Sequence, residues 1–529
     1  MKKFMQGAVW LAMAGILVKL LSALYRVPFQ NMVGDQGFYI YQQIYPFVGI
    51  FAVWTTYGLA VAVSKLLADH DPSVHRAIEK TALGFLMALS ILWFAMLYFG
   101  SDRLAHWMGD PVLAPLLKTG AFAALFMPVA ALVKGRLQAA GQMQPIAVAQ
   151  VGEQMVRVAV ILIGTWIVLA QGGTLYHAGQ TAIFGAVAGG AAAVLFLLPY
   201  RRPSFDRLAL KNGATIKRYP IIKQLAAISI SISVSSLILL LFQLVDSFTV
   251  FRLLTESGTE RMTAMEQKGV YDRAQPLVQF GIVIASSLVL SIVPLVAEMK
   301  KKNDLAKAAT YAALSYRMSF LFAAAAAGGL TAVMPYVNEM LFGSRTGSFA
   351  LIVFSWQIIW LSLSLVLTSL LQGIGKLFLP VLWLLAGLGL KVVGNALLIP
   401  LWGITGAATA GNIGLALSAI GLFISFKRHW SIRFAPLRYY GWLLFATIVM
   451  VAGTTAWATV ADRFVFGSGR TGASLTALTA VPFGAIIFLT IIATSRVITE
   501  RQWYSVPLGR KMAAFQLKLR SNRQKRGIE

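Results

Sequence analysis

Apolar residues run along this chain in long stretches, separated by short polar and mostly basic segments. A helix of about 20 apolar residues is long enough to cross a bilayer. Fourteen stretches reach that length, which predicts an all-α integral membrane protein with about 14 transmembrane helices. The seventh and eighth spans are the least clean, because the segment between them is long and charged. The predicted spans lie near residues 6–30, 38–67, 80–100, 112–134, 146–170, 178–200, 221–250, 270–298, 306–334, 346–372, 377–400, 404–426, 439–461 and 473–496.

The basic residues support this span count and set an orientation. If the N-terminus is cytoplasmic, 32 of the 46 Lys and Arg residues lie in cytoplasmic segments, 8 in external segments and 6 inside spans. A fourfold excess of this sign follows the positive-inside rule. We therefore expect both termini to be cytoplasmic. The first apolar stretch is long and no small-residue cleavage site follows it, so we expect it to remain as the first span.

Composition excludes several classes of protein. Of the 529 residues, 58% are hydrophobic and only 12% are charged, which leaves no room for a sizeable soluble catalytic domain. Membrane topology and anionic lipid account for the net charge of +27 without nucleic acid. The chain contains no cysteine, which excludes disulfides and thiolate metal sites. Neither GxxxxGK[ST] nor HExxH occurs. We expect a transporter without cofactor or metal, and not an enzyme.

A short pattern occurs in both halves of the chain. Leu137–Gln142 reads LQAAGQ after the fourth span, and Leu371–Lys376 reads LQGIGK after the tenth. At the same offset of 234, Arg157 of span five corresponds to Lys391 of span eleven. Two parallel repeats are a transporter architecture with the substrate site between the two lobes. We predict an N-lobe (1–200), a basic cytoplasmic linker (201–220), a C-lobe (221–426), spans 13 and 14 (427–496) and a basic tail (497–529).

The tail carries an amphipathic pattern. Met512, Phe515 and Leu519 fall on one side of a basic segment. This fits a helix lying on an anionic leaflet, although a disordered basic tail fits nearly as well.

Span five carries a polar face. Gln150, Glu153, Gln154 and Arg157 have helical spacing and share one side, and the opposite side is apolar. One interpretation is an internal Glu153–Arg157 ion pair, with the glutamines tying helices together. The other is the polar wall of a water-filled cavity. The two interpretations are compatible.

Ionisable residues within other spans also need an explanation, because each one costs roughly 2.5–3.5 kcal/mol or more near the bilayer centre. Lys19 and Arg26 lie two turns apart on one face of span one, before Pro28. We expect both of them to line a cavity. Lys391 is deep in span eleven, with Asn395 one turn further on.

Acids are scarce among the spans, where only Glu153 and Asp246 are clear cases. Asp246 is a candidate counter-ion to a cavity base, or a protonation site. Arg273, at the start of span eight, is either a cavity base or an exposed loop charge. A cavity with more bases than acids selects an anion, and the guanidinium fork binds phosphate oxygens in bidentate fashion.

Several segments resemble the polysaccharide-biosynthesis branch of the multidrug/oligosaccharidyl-lipid/polysaccharide exporter superfamily. They are similar in particular to the stage V sporulation protein B group, which is related to lipid II flippases of the MurJ type. The resemblance extends over essentially the whole chain. The segments that carry it are Lys134–Pro145, Gln150–Val158, Tyr25–Pro28, Gly34, Gly37, Tyr41 and Gly58–Lys65.

This resemblance implies a MATE-like fold, alternating access, a bacterial cytoplasmic membrane location and translocation of an undecaprenyl-diphosphate-linked sugar. In those flippases, basic residues of helices one and eight line the cavity that receives the diphosphate. Lys19 and Arg273 match them by position. Arg26 lies where the flippases carry an Arg-Asp pair, but the acid is missing here. Tyr57 stands in helix two where an acid is expected. A lipid-linked glycan other than lipid II therefore remains open.

Other functions remain as alternatives. One is an ion-coupled drug or metabolite exporter on the same fold, which the excess of intramembrane bases disfavours. Others are a membrane-bound glycosyltransferase, which would need a catalytic carboxylate pair, and a non-transporting scaffold for envelope assembly. The expected partners are a lipid-linked glycan, anionic lipid at the basic tail and, as a possibility, envelope-synthesis enzymes. We expect a monomer that binds no nucleic acid. The residues predicted to bind the diphosphate are Lys19, Arg26, Arg273 and Lys391.

Overall fold

A computed structural model describes residues 2–200, 218–283, 302–430 and 432–495, with a few short pieces between 285 and 299 and between 497 and 517. Helices account for most of this part of the chain, and no strand occurs in it. The predicted linker 201–220 lies almost entirely outside the described residues. Span eight beyond residue 287 and the tail 497–529 also lie largely outside them.

The chain forms two compact units. Unit 1 comprises Met1–Phe280 and Leu377–Gly414, and unit 2 comprises Gly281–Lys376 and Leu415–Glu529. Unit 1 combines the predicted N-lobe with parts of the predicted C-lobe, whereas unit 2 combines the rest of the C-lobe with spans 13 and 14. The units reflect packing, and the lobes were inferred from the repeat. The division into lobes therefore remains a prediction.

Among its described residues, unit 1 contains thirteen α-helices that we label α1 to α13, two π-helical turns and part of a further long helix; α13 ends one residue beyond the unit. The π-helical turns are Trp54–Leu59 and Val160–Gly164. The α-helices are α1 (Lys2–Leu24), α2 (Arg26–Val53), α3 (Ala60–Asp69), α4 (His75–Phe99), α5 (Ser101–Trp107), α6 (Ala114–Ala121), α7 (Ala123–Ala139), α8 (Met143–Ala159), α9 (Thr165–Ala170), α10 (Leu175–Leu197), α11 (Arg218–Glu256), α12 (Arg261–Asp272) and α13 (Ala274–Gly281).

The long helix Leu379–His429 begins in unit 1 and ends in unit 2. In the described part of unit 2, the other α-helices are Leu305–Phe342, Ser348–Ser355, Gln357–Gly373, Leu437–Val460, Arg470–Ser495 and Glu500–Trp503.

Eleven helical segments in the described part of the chain are long and apolar enough to span a membrane. Two of them, Met13–Asp69 and Leu379–His429, are long enough for two crossings each. Each is interrupted by a glycine at positive φ, Gly34 at 68° and Gly403 at 54°. Only glycine adopts such a conformation without strain, so the chain reverses there. The all-α membrane fold is thus confirmed.

Small residues set the close packing in unit 1. α8 packs against α1 and α10, and α2 packs against α11 and α12. Gly185 and Gly189 of α10 face the backbone of α8, where a Cβ atom would lie about 3 Å from the carbonyl oxygens of Arg157 and Glu153, respectively. This packing fixes the helix that carries Arg157 against its neighbour.

Candidate functional site: a buried cationic centre in unit 1

The first span breaks where it would otherwise run past Arg26. Pro28 has no N–H to donate to the carbonyl of Leu24, and α1 ends at Leu24. α2 then begins at Arg26, whose side chain is completely buried. Its guanidinium carbon lies 4.7 Å from the centroid of the Tyr45 ring, and its three guanidinium nitrogens have no hydrogen-bond partner among the described residues. The break therefore places an unneutralised cation in the interior.

Arg157 of α8 approaches the same tyrosine ring. Its guanidinium carbon lies 5.4 Å from the Tyr45 centroid, just before the π-helical turn Val160–Gly164. The predicted Glu153–Arg157 pair does not form, because the Glu153 carboxylate faces Lys134 of α7 instead, at 3.4 Å. Two arginines from different helices thus share one aromatic ring.

The other three residues of the span-five face do not take part in this contact with Tyr45. Gln154 is buried, and its amide nitrogen has no partner within the described chain. Gln150 and Glu153 are only partly buried. The role of this face as a cavity wall remains a prediction.

No carboxylate within the described residues forms an ion pair with Arg26 or Arg157. The surrounding groups are phenols: the hydroxyls of Tyr25 and Tyr41 are hydrogen-bonded at 2.6 Å beside the arginines. Buried charges are costly unless they are paired. A ring face attracts a guanidinium but does not cancel its charge. We call this group the cationic centre: Arg26, Arg157, Tyr25, Tyr41 and Tyr45.

Lys391 lies in a different environment, because Asp246 neutralises it. Its ammonium is 2.7 Å from Asp246 Oδ2, and both side chains are buried. The Tyr271 hydroxyl donates to the same oxygen at 2.9 Å, and the Asn395 amide donates to Oδ1 at 3.3 Å. Asp246 is therefore the counter-ion of Lys391, one of the two roles that its position suggested.

Arg273 is also paired with an acid. Its guanidinium donates to both oxygens of Asp35, at 2.8 and 2.6 Å, and Gln30 donates to the same carboxylate at 2.9 Å. Arg273 itself is buried, so it is not an exposed loop charge. Asp35 directly follows the Gly34 break, which brings it over the end of α12.

Buried acids are more numerous than the sequence indicated, because Asp110 and Asp272 are buried in addition to Asp246. Asp272 pairs with Lys268 one turn earlier in α12, at 2.6 Å. The i, i+4 spacing of that pair could have predicted it from the sequence.

Lys19, unlike the other predicted headgroup ligands, is exposed on α1 and makes no hydrogen bond or ion pair with described residues.

Asp110 and Arg261 form a second ion pair near the Gly34 break, in addition to Arg273 and Asp35. The fully buried Asp110 carboxylate accepts from Arg261 at 2.6 Å, Tyr176 at 2.8 Å and Tyr39 at 3.3 Å. Burial lowers the pKa of the Arg261 guanidinium, but the adjacent Asp110 carboxylate outweighs it, so the net shift is upward. This pair ties the start of α12 to the loop before α6.

Two glycines permit close contact at opposite ends of α2. A Cβ atom on Gly269 would lie 2.1 Å from the carbonyl oxygen of Asp35, so α12 rests directly on the Gly34 break. A Cβ atom on Gly58 would lie 1.9 Å from the hydroxyl of Ser233, in the serine-rich face of α11. Together they allow α11 and α12 to pack tightly against the second span.

The fold and this cationic centre define an all-α, multi-pass membrane protein with bases and acids inside its spans. Residues 4–300 match the family described as "Polysaccharide biosynthesis protein". The chain is 37% identical over 525 residues to the Bacillus subtilis (strain 168) protein "Uncharacterized membrane protein YabM", covering 98% of this chain and 97% of that one. It therefore belongs to the polysaccharide biosynthesis protein family, and the family resemblance of its sequence is confirmed.

Two further Bacillus subtilis (strain 168) proteins are similar to the chain. "Lipid II flippase MurJ" is 24% identical over 521 residues, covering 92% of this chain and 94% of that protein. "Stage V sporulation protein B" is 26% identical over 316 residues, covering 57% and 60%, respectively.

Solved structures confirm the fold. A lipid II flippase MurJ in an inward closed conformation aligns with a TM-score of 0.67 at 13% identity, covering 92% of this chain and 98% of that one. An inward-facing MATE multidrug transporter of the MOP superfamily aligns with a TM-score of 0.63 at 15% identity, covering 78% and 94%. The prediction of a MOP/MATE-like arrangement is correct.

Proposed function

We propose that this protein is a flippase that moves an undecaprenyl-diphosphate-linked glycan across the bacterial cytoplasmic membrane by alternating access. Both termini would be cytoplasmic, as the distribution of basic residues favours. The names of two relatives, a lipid II flippase and a stage V sporulation protein, support this class of substrate. The protein would serve cell-envelope synthesis and carry out no covalent chemistry.

The observation that carries the proposal is the cationic centre. Arg26 and Arg157 lie around one tyrosine ring with no acid paired to either, in the part of the chain described. Arginine binds phosphate oxygens through a planar fork of N–H donors. An anionic headgroup would supply the hydrogen-bond acceptors that Arg26 lacks. A cationic drug would meet repulsion at the same place.

The other predicted headgroup ligands would act later in the cycle. Arg273 and Lys391 are held by Asp35 and Asp246. Each could bind a phosphate only after its ion pair opens. Lys19 is exposed on α1 and stays a candidate for an early contact with the headgroup. In this scheme Arg26 and Arg157 are the first binding residues.

A transport assay tests the proposal. Purified protein in liposomes is expected to move a fluorescent undecaprenyl-diphosphate sugar faster than protein-free liposomes do. Arg26→Ala should lower the initial rate by about tenfold or more, because it removes charge-assisted hydrogen bonds to the headgroup. Arg252→Ala is the matched control, since Arg252 is half-exposed and pairs with Glu256 on the same helix. Its rate should equal that of the wild type.

Two outcomes would contradict the proposal. One is wild-type liposomes that perform no better than empty ones across several lipid-linked glycans. The other is equal transport by the Arg26→Ala and wild-type proteins. To identify the glycan, the gene can be expressed in a strain depleted of its essential lipid II flippase. Growth would support lipid II as substrate, and lack of growth together with liposome activity would indicate another glycan.

A further inference from the structure

Tyr45 is close to two cations that come from different parts of the chain. It is on α2, and the guanidinium carbons of Arg26 and Arg157 lie 4.7 and 5.4 Å from its ring centroid. The two guanidinium groups are therefore within about 10 Å of each other, each at a distance at which the ring attracts a cation. A diphosphate, with two phosphoryl groups that each accept a fork of N–H donors, can bridge such a pair.

Other aromatic residues hold the Tyr45 ring in place. Tyr41, one turn earlier on α2, lies 5.9 Å from it between ring centroids. Tyr41 is in turn fixed by Phe29, at 5.0 Å, and by the hydrogen bond to the Tyr25 hydroxyl. Tyr41 and Phe29 are both completely buried. The ring that the arginines share is thus packed against a fixed neighbour, although Tyr45 itself is only partly buried.

The ring differs from the carboxylates that hold the other buried bases. Asp246 and Asp35 cancel the charge of Lys391 and Arg273, and a substrate phosphate would have to displace them. A tyrosine face offsets the repulsion between two cations but leaves both charges in place. It therefore keeps two guanidinium groups at a set spacing and ready for an anion with two charged groups.

We propose that Tyr45 is a positioning residue that makes the cationic centre selective for diphosphate-linked over monophosphate-linked lipids. The inference rests on the proposed function and extends it to the choice of headgroup. Tyr45 would not bind the headgroup through its hydroxyl. Its contribution is the ring face, which sets the separation of Arg26 and Arg157.

A binding experiment tests this without requiring transport. Detergent-purified protein is titrated with farnesyl diphosphate and farnesyl monophosphate, and the ratio of the two Kd values is the readout. The wild type should bind the diphosphate more tightly. Tyr45→Phe keeps the ring face and should keep the ratio. Tyr45→Leu should weaken diphosphate binding about tenfold and change monophosphate binding by less than about twofold, because only the diphosphate uses both arginines.

Several results would overturn the inference. A wild-type Kd ratio in Tyr45→Leu would do so, as would an equal loss in Tyr45→Phe and Tyr45→Leu. If the leucine variant does not fold, Tyr45→Met also removes the ring, with an unbranched side chain that adapts to irregular space, and carries the same expectation. If the wild type transports but shows no preference for diphosphate, this inference fails and the flippase proposal survives. If the binding pattern holds but liposomes show no transport, the flippase proposal fails alone.

Discussion

Replacing Lys391 by alanine is expected to destabilise the protein more than the loss of an ordinary buried side chain would. The substitution leaves the Asp246 carboxylate buried without its cation, since both side chains are at most 2% exposed. Breaking a buried ion pair by removing one partner costs about 3–5 kcal/mol. The same substitution loosens the contact between α11 and the helix Leu379–His429. Thermal unfolding in detergent, followed by the fluorescence of the 13 tryptophans, measures the effect.

Two further variants make this result interpretable. Lys302→Ala removes a lysine from an exposed i, i+4 pair with Glu298 and should leave the melting temperature nearly unchanged. The double variant Asp246→Asn/Lys391→Gln removes both charges together. It should recover most of the stability lost in Lys391→Ala, because the cost lies in the unpaired charge. A melting temperature for Lys391→Ala equal to that of the wild type would show that the pair is not buried as described.

Much of the fold follows from local sequence signals. The length of each apolar stretch sets the number of crossings, because bilayer thickness fixes how many residues a spanning helix needs. Pro28 explains the end of α1 at Leu24, and Gly34 explains the reversal after the first span. The way the chain divides into compact units does not follow from the repeat. It depends on contacts between side chains that are far apart in the sequence.

Individual buried bases could be predicted from the sequence, whereas the acidic residues that pair with them mostly could not. Arg26 and Lys391 could be recognised as unusual, since a charge within an apolar helix is unusual on its own. Asp35 was missed because it follows a glycine in what was expected to be an external turn. Its pairing with Arg273 joins positions 238 residues apart. Only the packing of α12 on α2 brings them together.

The buried bases of unit 1 fall into two kinds according to what lies beside them. Lys391, Arg273 and Lys268 each have a carboxylate partner. The Lys391 and Arg273 pairs join different helices, whereas the Lys268 pair lies within α12. Arg26 and Arg157 form no ion pair with a described carboxylate, and both lie against the Tyr45 ring. Because of this contrast, we propose substrate binding for the second kind and conformational coupling for the first.

Substitution of Gly269 by alanine is expected to separate α12 from the Gly34 break. The added Cβ atom would lie 2.1 Å from the Asp35 carbonyl oxygen and less than 3 Å from two further backbone atoms of Asp35. A backbone overlap cannot be relieved by a rotamer change, so one segment must shift, at a cost of about 1–3 kcal/mol. The shift would break the bidentate contact between Arg273 and Asp35. In the proposed topology this contact lies on the external side, and we expect it to help close that side during the cycle.

Cross-linking measures that separation directly, because the chain has no cysteine of its own. The Gln36 amide donates to Glu266 at 2.9 Å, so the double variant Gln36→Cys/Glu266→Cys places two thiols across the α2–α12 contact. A short bifunctional thiol reagent should link them efficiently in the otherwise wild-type chain and several-fold less in Gly269→Ala, because the Gln36–Glu266 contact joins the ends of two long side chains. The flipping rate should fall in parallel, because a cycle that cannot close one side loses its alternation. Gly84→Ala is the control: it is also a helical glycine, and a Cβ atom there meets nothing within 4 Å. Equal cross-linking in the Gly269→Ala and Gly84→Ala backgrounds would mean that α12 does not depend on this glycine for its position.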